Sequence, residues 1–436
     1  MAETNSSTEN ANGSRHPFDV VIAGAGYAGL AMALALKTSL PKMKVAIIDP
    51  RDVRAPTEDQ RSSAIAASGR NLFQALGVWD DMVSAAEPIR EMIVTDSETG
   101  DAVRPVFLNF TGDADGAAPF AHMVPNQVMV RTLSAAAENR GLVFLPPGRV
   151  THFSLEGPVQ RLTLSTGEII ETRLLIAADG VRSALRQLAG IRTVGWQYGQ
   201  SAIVCTIAHT EPHHGRAWEH FLPAGPFAIL PLPSKGDQHR SSLVWTEADG
   251  DAKRLVAGDE FTFRMELERR IGHELGTLSL ASPRQSFPLG LMVARDFVRP
   301  RFALLGDAAH GIHPIAGQGL NLGLRDVAAL AETLVDAARL GLDFGTLDVL
   351  QTYERWRRGP ALIQFMLHQK NVVFGCSPVH SKLPCDMPPH LMIRSALHPT
   401  GSWLLPGVRP PAPRARQVRR ELHPQRWWPA QCPSPG

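Results

Sequence analysis

The run Gly24-Ala25-Gly26-Tyr27-Ala28-Gly29 constrains this chain more than any other stretch. Three spaced glycines alone are a weak signal, but here they follow the apolar run Asp19-Val20-Val21-Ile22-Ala23 and open an Ala/Leu-rich stretch through Leu36. A second apolar run, Lys44-Val45-Ala46-Ile47-Ile48, then ends in Asp49, 20 residues after Gly29. That order predicts strand, tight turn, helix and strand, a βαβ unit that belongs in a parallel sheet covered by helices. Gly24 permits the turn, Gly26 lets the backbone approach a pyrophosphate at the helix N-terminus, and Gly29 lets helix and strand pack closely. Asp49 is placed to bind adenosine ribose hydroxyls, which argues against a 2′-phosphate. The expected nucleotide is FAD or NAD. A glycine turn serving packing alone is the bland alternative, and the strand, helix and acid around it speak against that. The fingerprint occurs once, so a nicotinamide has no second domain of this type.

Further along, Leu174-Leu175-Ile176-Ala177-Ala178 repeats the buried-strand pattern and ends in Asp179-Gly180, and Phe302-Ala303-Leu304-Leu305 repeats it again. Strands near 20, 46, 175 and 303 are expected to share one sheet, which makes the nucleotide domain discontinuous. From Leu320 to Leu340 the apolar residues recur at helical spacing. Between Gly199 and Gln285, β-branched and alternating segments such as Ser201–Thr206 and Ser242–Thr246 predict an antiparallel sheet, the better candidate for a substrate domain. A chain of 436 residues exceeds one ordinary core. The expected division is a nucleotide domain at 18–90, 122–192 and 288–358, a substrate domain at 91–121 and 193–287, a disordered leader at 1–17 and an irregular tail at 359–436.

Composition narrows the partners. The net charge of +2 conceals eight basic and two acidic residues in 375–436, which leaves 36 basic and 40 acidic side chains in the body. The body is therefore mildly acidic, and nucleic-acid binding is not expected. No apolar run approaches the ~18 residues a membrane-spanning helix needs. Residues 1–17 lack the basic start and apolar stretch of a secretory signal, so a cytoplasmic protein is expected. Four cysteines make no disulfide framework or metal-ligand pattern. No metal is expected: His310 and His313 lack a third ligand and are read as packing and hydrogen-bonding residues.

The stretch Gly306-Asp307-Ala308-Ala309-His310-Gly311-Ile312-His313-Pro314-Ile315-Ala316-Gly317-Gln318-Gly319-Leu320-Asn321-Leu322-Gly323-Leu324-Arg325-Asp326 resembles the second FAD motif of the class A flavoprotein hydroxylases. Its wording is that of the UbiH/Coq6-type ubiquinone-biosynthesis hydroxylases, as is the block Gly215–Phe221 with Gly225–Leu232. Asp179-Gly180 resembles the family's Asp-Gly motif. The likeness covers about Phe18 to Arg358.

The resemblance implies a Rossmann-like FAD-binding domain of the p-hydroxybenzoate-hydroxylase kind, carrying an inserted, mainly antiparallel β-sheet substrate domain. It implies that Asp307 binds a ribityl hydroxyl, that Asp179 supports the cofactor region, and that Pro314, Gly317, Gln318 and Gly319 form a small-residue loop beside the isoalloxazine. Gly306, Leu320 and Asn321 belong to the same motif, and the helix from near Leu320 points its amides at the flavin. Arg61 resembles the arginine that contacts pyrophosphate and ribose, and Asn126 and Arg131 match a cofactor-contacting amide and arginine. His220 stands where the subgroup has Arg, so a substrate contact there is not expected.

The implied reaction is hydroxylation of the aromatic ring of a polyprenylated phenol or quinone precursor through a flavin C4a-hydroperoxide, with O2 as substrate and NADH or NADPH, or another donor, as reductant. No acid/base side chain is nameable as catalytic, because the chemistry is carried by the flavin. A prenylated substrate implies peripheral contact with the inner membrane and subunits of a ubiquinone-biosynthesis complex as partners. The rival readings are a hydroxylase of a small soluble aromatic and a non-catalytic flavoprotein subunit. Beyond Arg358 the likeness and the periodicity end together, and 13 of the 62 residues from Gly375 are Pro. That coincidence favours a changed reading frame over a natural basic, Pro-rich extension.

Overall fold

A computed structural model describes residues 18–53, 55, 59–96, 105–111, 119–312 and 318–359. The leader, the tail beyond 359, His313, Pro314 and Gly317 lie outside the described residues, as does the side chain of Gln318.

The strand Phe18–Ala23 lies between Ile169–Ala177 and Val45–Ile48 and runs parallel to both, with Val20 opposite Leu174 and Val45. Val20, Val21 and Ile22 have no exposed surface. A strand covered on both faces needs a continuous apolar run rather than alternation, and this one has it. Phe302–Leu304 adds in parallel beyond Ile169–Ala177, so the strands expected near 20, 46, 175 and 303 do form one sheet, of eight strands among the described residues. The helix Tyr27–Ser39 is buried from Ala28 to Leu36, since it packs against the sheet and is covered by the helices Asn126–Asn139 and Gln318–Arg339. A helix apolar all round is stable only when surrounded in this way.

A second sheet has nine strands among the described residues, with Gln285–Ala294, Thr193–His209, Gln238–Ala248, Gly225–Lys235 and Arg216–Leu222 in successive antiparallel pairs. Among the described residues, its departure from the expected antiparallel pattern is the parallel pairing of Arg216–Leu222 with Glu91–Asp96, which ties in the segment before residue 122. The division expected at 287/288 cuts the strand Gln285–Ala294, which continues the large sheet toward His310–Gly311.

One face of this sheet, carrying Ile203, Trp218, Phe227 and Trp245, packs beneath the helices Asp249–Ala257 and Glu260–Ile271. The opposite, inner face carries Ala217, Ala228 and Leu230 and meets a three-stranded sheet formed by Ser62–Ala66, Ala121–Pro125 and Glu87–Ile89. No helix among the described residues is long and apolar enough to cross a membrane.

Candidate functional site

Three strand ends converge on one cleft of about 980 Å3. They are the turn after Phe18–Ala23, Asp179-Gly180 after Ile169–Ala177, and Gly306-Asp307 after Phe302–Leu304. Neighbouring parallel strands end at the same edge of a sheet, which is why residues far apart in sequence meet there.

The three fingerprint glycines do different jobs. Gly24 has φ +115°, and a Cβ there would lie 2.2 Å from the Ala178 carbonyl oxygen. At Gly29 a Cβ would lie 2.0 Å from the Gly24 oxygen, so this glycine holds helix and turn together. Gly26 lines the cleft, and a Cβ added there meets no protein atom within 4 Å. The space above Gly26 is thus kept open for something other than the chain. The helix it opens has no side-chain cap and no acidic residue in its first turn, which leaves its N-terminal amides and positive dipole end for an anion.

Asp49 is buried in the cleft wall and accepts the Ala25 N–H at 2.8 Å, fixing the turn, while its other oxygen accepts the Arg51 N–H at 2.9 Å. Asp179 accepts the Leu185 N–H at 3.2 Å, and its Oδ1 is buried with no protein partner. A buried carboxylate oxygen left without a donor is costly unless a ligand supplies one. Asp307 lines the same cleft; burial pushes its carboxyl above the usual range, helped by Asp326 and opposed by His310 and Arg61. An open backbone cradle, an uncapped helix end and an orphaned carboxylate oxygen suit a dinucleotide with ribose and ribityl hydroxyls.

Arg61 and Asn126 also line the cleft. Arg61 donates to both oxygens of Asp59 at 2.8 Å and lies over the Phe287 ring at 4.9 Å. Asn126 donates to Asp59 at 3.0 Å and accepts from the Ser63 hydroxyl at 2.7 Å. Burial alone would raise the Asp59 carboxyl, but these donors together hold it below its ordinary range.

Arg131 stands apart. It is exposed and outside the cleft, because the helix that starts at Asn126 advances about 100° per residue and brings Val130, four residues on, to the cleft instead. Asn321 is also absent from the cleft lining: its amide accepts the Ala66 N–H at 2.9 Å and donates to the Ala64 carbonyl at 2.8 Å, clamping the long helix to the strand Ser62–Ala66. Leu320 is buried in the main core, and Gly306, at φ +60°, and Gly323 line the cleft. Gly319 lies near Ile312, on the first turn of the helix Gln318–Arg339.

Two groups escaped the sequence reading. Arg186 donates to the Ala308 and Val181 carbonyls at 2.8 and 2.9 Å, tying the Asp179 loop to the Asp307 loop. Asp326, wholly buried, accepts from the Gly306 N–H, His310 and Arg357. Asp326 closes the quoted motif and Arg357 stands in the last family-like block, but their pairing across 31 positions leaves no local signal. His220 shares a hydrogen bond with Thr95 at 2.7 Å and stacks on Phe227, on the face turned away from the three-stranded sheet.

Residues 17–364 match the model of the FAD binding domain family. The chain is 42% identical to the ubiquinone hydroxylase UbiL of Rhodospirillum rubrum over 355 residues, 80% of either chain. It is 33% identical to the 3-demethoxyubiquinol 3-hydroxylase of Escherichia coli over 348 residues, 79% of this chain and 86% of that one. The fold is similar to the crystal structure of a PqsL mutant from P. aeruginosa, with a TM-score of 0.70 at 22% identity over 83% of this chain and 97% of that one.

Proposed function

We propose, since this chain belongs to the FAD binding domain family, that it is the FAD-dependent monooxygenase of a ubiquinone-type pathway and hydroxylates the ring of a polyprenylated phenol. The observation that carries the reading is the convergence of Gly26, Asp179 and Asp307 on one cleft, in a chain whose relatives are named as ubiquinone hydroxylases.

Gly26 and the helix end behind it would hold the pyrophosphate, Asp49 the adenosine ribose, and Asp307 the ribityl chain. When bound and reduced, the flavin supplies the oxygen chemistry, passing one atom of O2 to an electron-rich ring and the other to water. The protein's part is to position the ring and exclude water. Arg186 holds the Asp179 and Asp307 loops at a fixed separation, and Asp326 anchors the Gly306 turn, so the carboxylates facing the cofactor are oriented before it binds. NADH or NADPH is the proposed reductant, approaching over the surface of the same domain. The prenyl tail would stay near a membrane surface while the ring enters.

The test is turnover of FAD-loaded protein with a short-chain prenylphenol and NADH or NADPH under 18O2. One labelled oxygen in the ring product is expected. Retained FAD with every NADH or NADPH oxidised matched by one O2 reduced to hydrogen peroxide and no labelled ring product, for every phenol tried, would refute the hydroxylase reading and favour a non-catalytic subunit.

A further inference from the structure

Glu219 is a carboxylic acid in an apolar sheet face. It is 3% exposed, and its Oε2 is buried without a hydrogen-bond partner. It stands opposite Ala228 on one side and Val94 on the other, and the same row continues through Val244 and Val204. Ala228 and Val94 belong to the inner-face cluster, so Glu219 points toward the three-stranded sheet while its neighbours Trp218 and His220 point away.

The inner face leads to the cofactor. Two residues along from Glu219, Phe221 stands opposite Pro226, the next strand carries Thr246 opposite Ala202, and Ala202 stands opposite Phe287, so that row spans five strands and its Phe287 end lies under the Arg61 guanidinium that lines the FAD cleft. Four strand spacings separate the ends of that row, about 19 Å.

Resting on the hydroxylase reading above, we propose that Glu219 is the specificity residue of the ring site, and that its carboxyl hydrogen-bonds the phenolic hydroxyl of the substrate. Leaving a carboxyl here without a partner lowers the stability of the free protein, so a packing role does not account for it. A phenol supplies what is missing: its O–H donates to the carboxylate, and its oxygen accepts from the acid form. Burial pushes the Glu219 carboxyl up to about 7, so both forms are present near neutral pH. A site built around a substrate hydroxyl discriminates strongly against analogues that lack it, because the buried partner is then left unpaired.

The experiment compares FAD-loaded wild type, Glu219→Leu and Glu219→Gln, titrated with a 2-prenylphenol and with its methyl ether, following the flavin absorbance change. Wild type is expected to prefer the phenol about ten- to a hundredfold. Glu219→Leu should lose that preference, keep its FAD and melt at a higher temperature, while Glu219→Gln, which still accepts a hydrogen bond, keeps much of the preference. An undiminished preference in Glu219→Leu overturns the proposal. So does a Glu219→Leu protein that melts lower or fails to fold, since that assigns the carboxyl a structural role. A wild type that binds neither probe overturns the hydroxylase reading itself, a result distinct from both.

Discussion

Arg357 donates from Nε to Asp326 Oδ1 at 2.5 Å, and through that carboxylate the segment 347–359 is tied to the Gly306 turn of the cofactor cleft. Burial alone would raise the Asp326 carboxyl, but His310 and Arg357 outweigh it and hold the group below its ordinary range. Removing one member of such a cluster leaves the other charges buried and uncompensated, which costs about 3–5 kcal/mol. Asp326→Asn is therefore expected to melt well below wild type and to lose FAD on gel filtration. The sign with pH follows: a carboxylate held below its unfolded range stabilises the fold above that range and loses this contribution as acid titrates it. Wild type should lose stability as pH falls below about 4, and the variant should lack that share of the acid dependence. Equal melting curves for the two proteins from pH 7 to 4 would contradict the assignment.

The fingerprint glycines allow a separation of fold from cofactor binding. Gly24→Ala puts a methyl 2.2 Å from the Ala178 oxygen at φ +115°, so little soluble protein is expected. Gly26→Val meets open space and should fold, with an apoprotein melting temperature close to wild type. The same side chain fills the cradle proposed for the pyrophosphate, so FAD affinity should fall by at least about a hundredfold, read by fluorescence titration of apoprotein. A yellow Gly26→Val protein would place the pyrophosphate elsewhere.

What sequence could and could not reveal follows from the range of each interaction. Gly24–Gly29, Asp179-Gly180 and Gly306-Asp307 each sit at the end of a short buried strand, so residue type and local pattern mark them directly. Asp59 is different: it receives Arg61 from two residues away and Asn126 from 67 away, and only the second contact places it in the cleft. Arg186 reaches the Ala308 carbonyl across 122 positions. The parallel pairing of Glu91–Asp96 with Arg216–Leu222 depends on chain topology rather than on the pattern of either strand. Arg131 shows the converse: a motif position carries no helical phase, and the helix Asn126–Asn139 leaves this side chain exposed and outside the cleft lining.

Asp307 offers opposite effects on stability and binding. Its carboxyl is raised by burial, so the ionised form is disfavoured in the folded apoprotein. A raised carboxyl contributes stability below its unfolded range and loses it as pH rises, so at pH 7 the charge opposes folding. Asp307→Asn should raise the melting temperature of the apoprotein while weakening FAD binding, and Asp307→Ala should purify soluble and colourless. Full retention of FAD by Asp307→Ala would exclude the ribityl contact.

Arg61 and Arg131 test geometry against motif. Arg61 is held in the cleft wall by both oxygens of Asp59 and by the Phe287 ring, so its guanidinium is fixed in place before any anion enters. Loss of one oriented guanidinium–phosphate contact is worth about 1.5–3 kcal/mol, so Arg61→Ala should weaken FAD about ten- to a hundredfold. Arg131 is exposed on the far side of its helix from Asn126 and Val130. Arg131→Ala should change stability by no more than about 0.5 kcal/mol and leave FAD affinity unaltered. Should Arg131→Ala instead lose FAD as Arg61→Ala does, the helix Asn126–Asn139 must turn a different face to the bound cofactor.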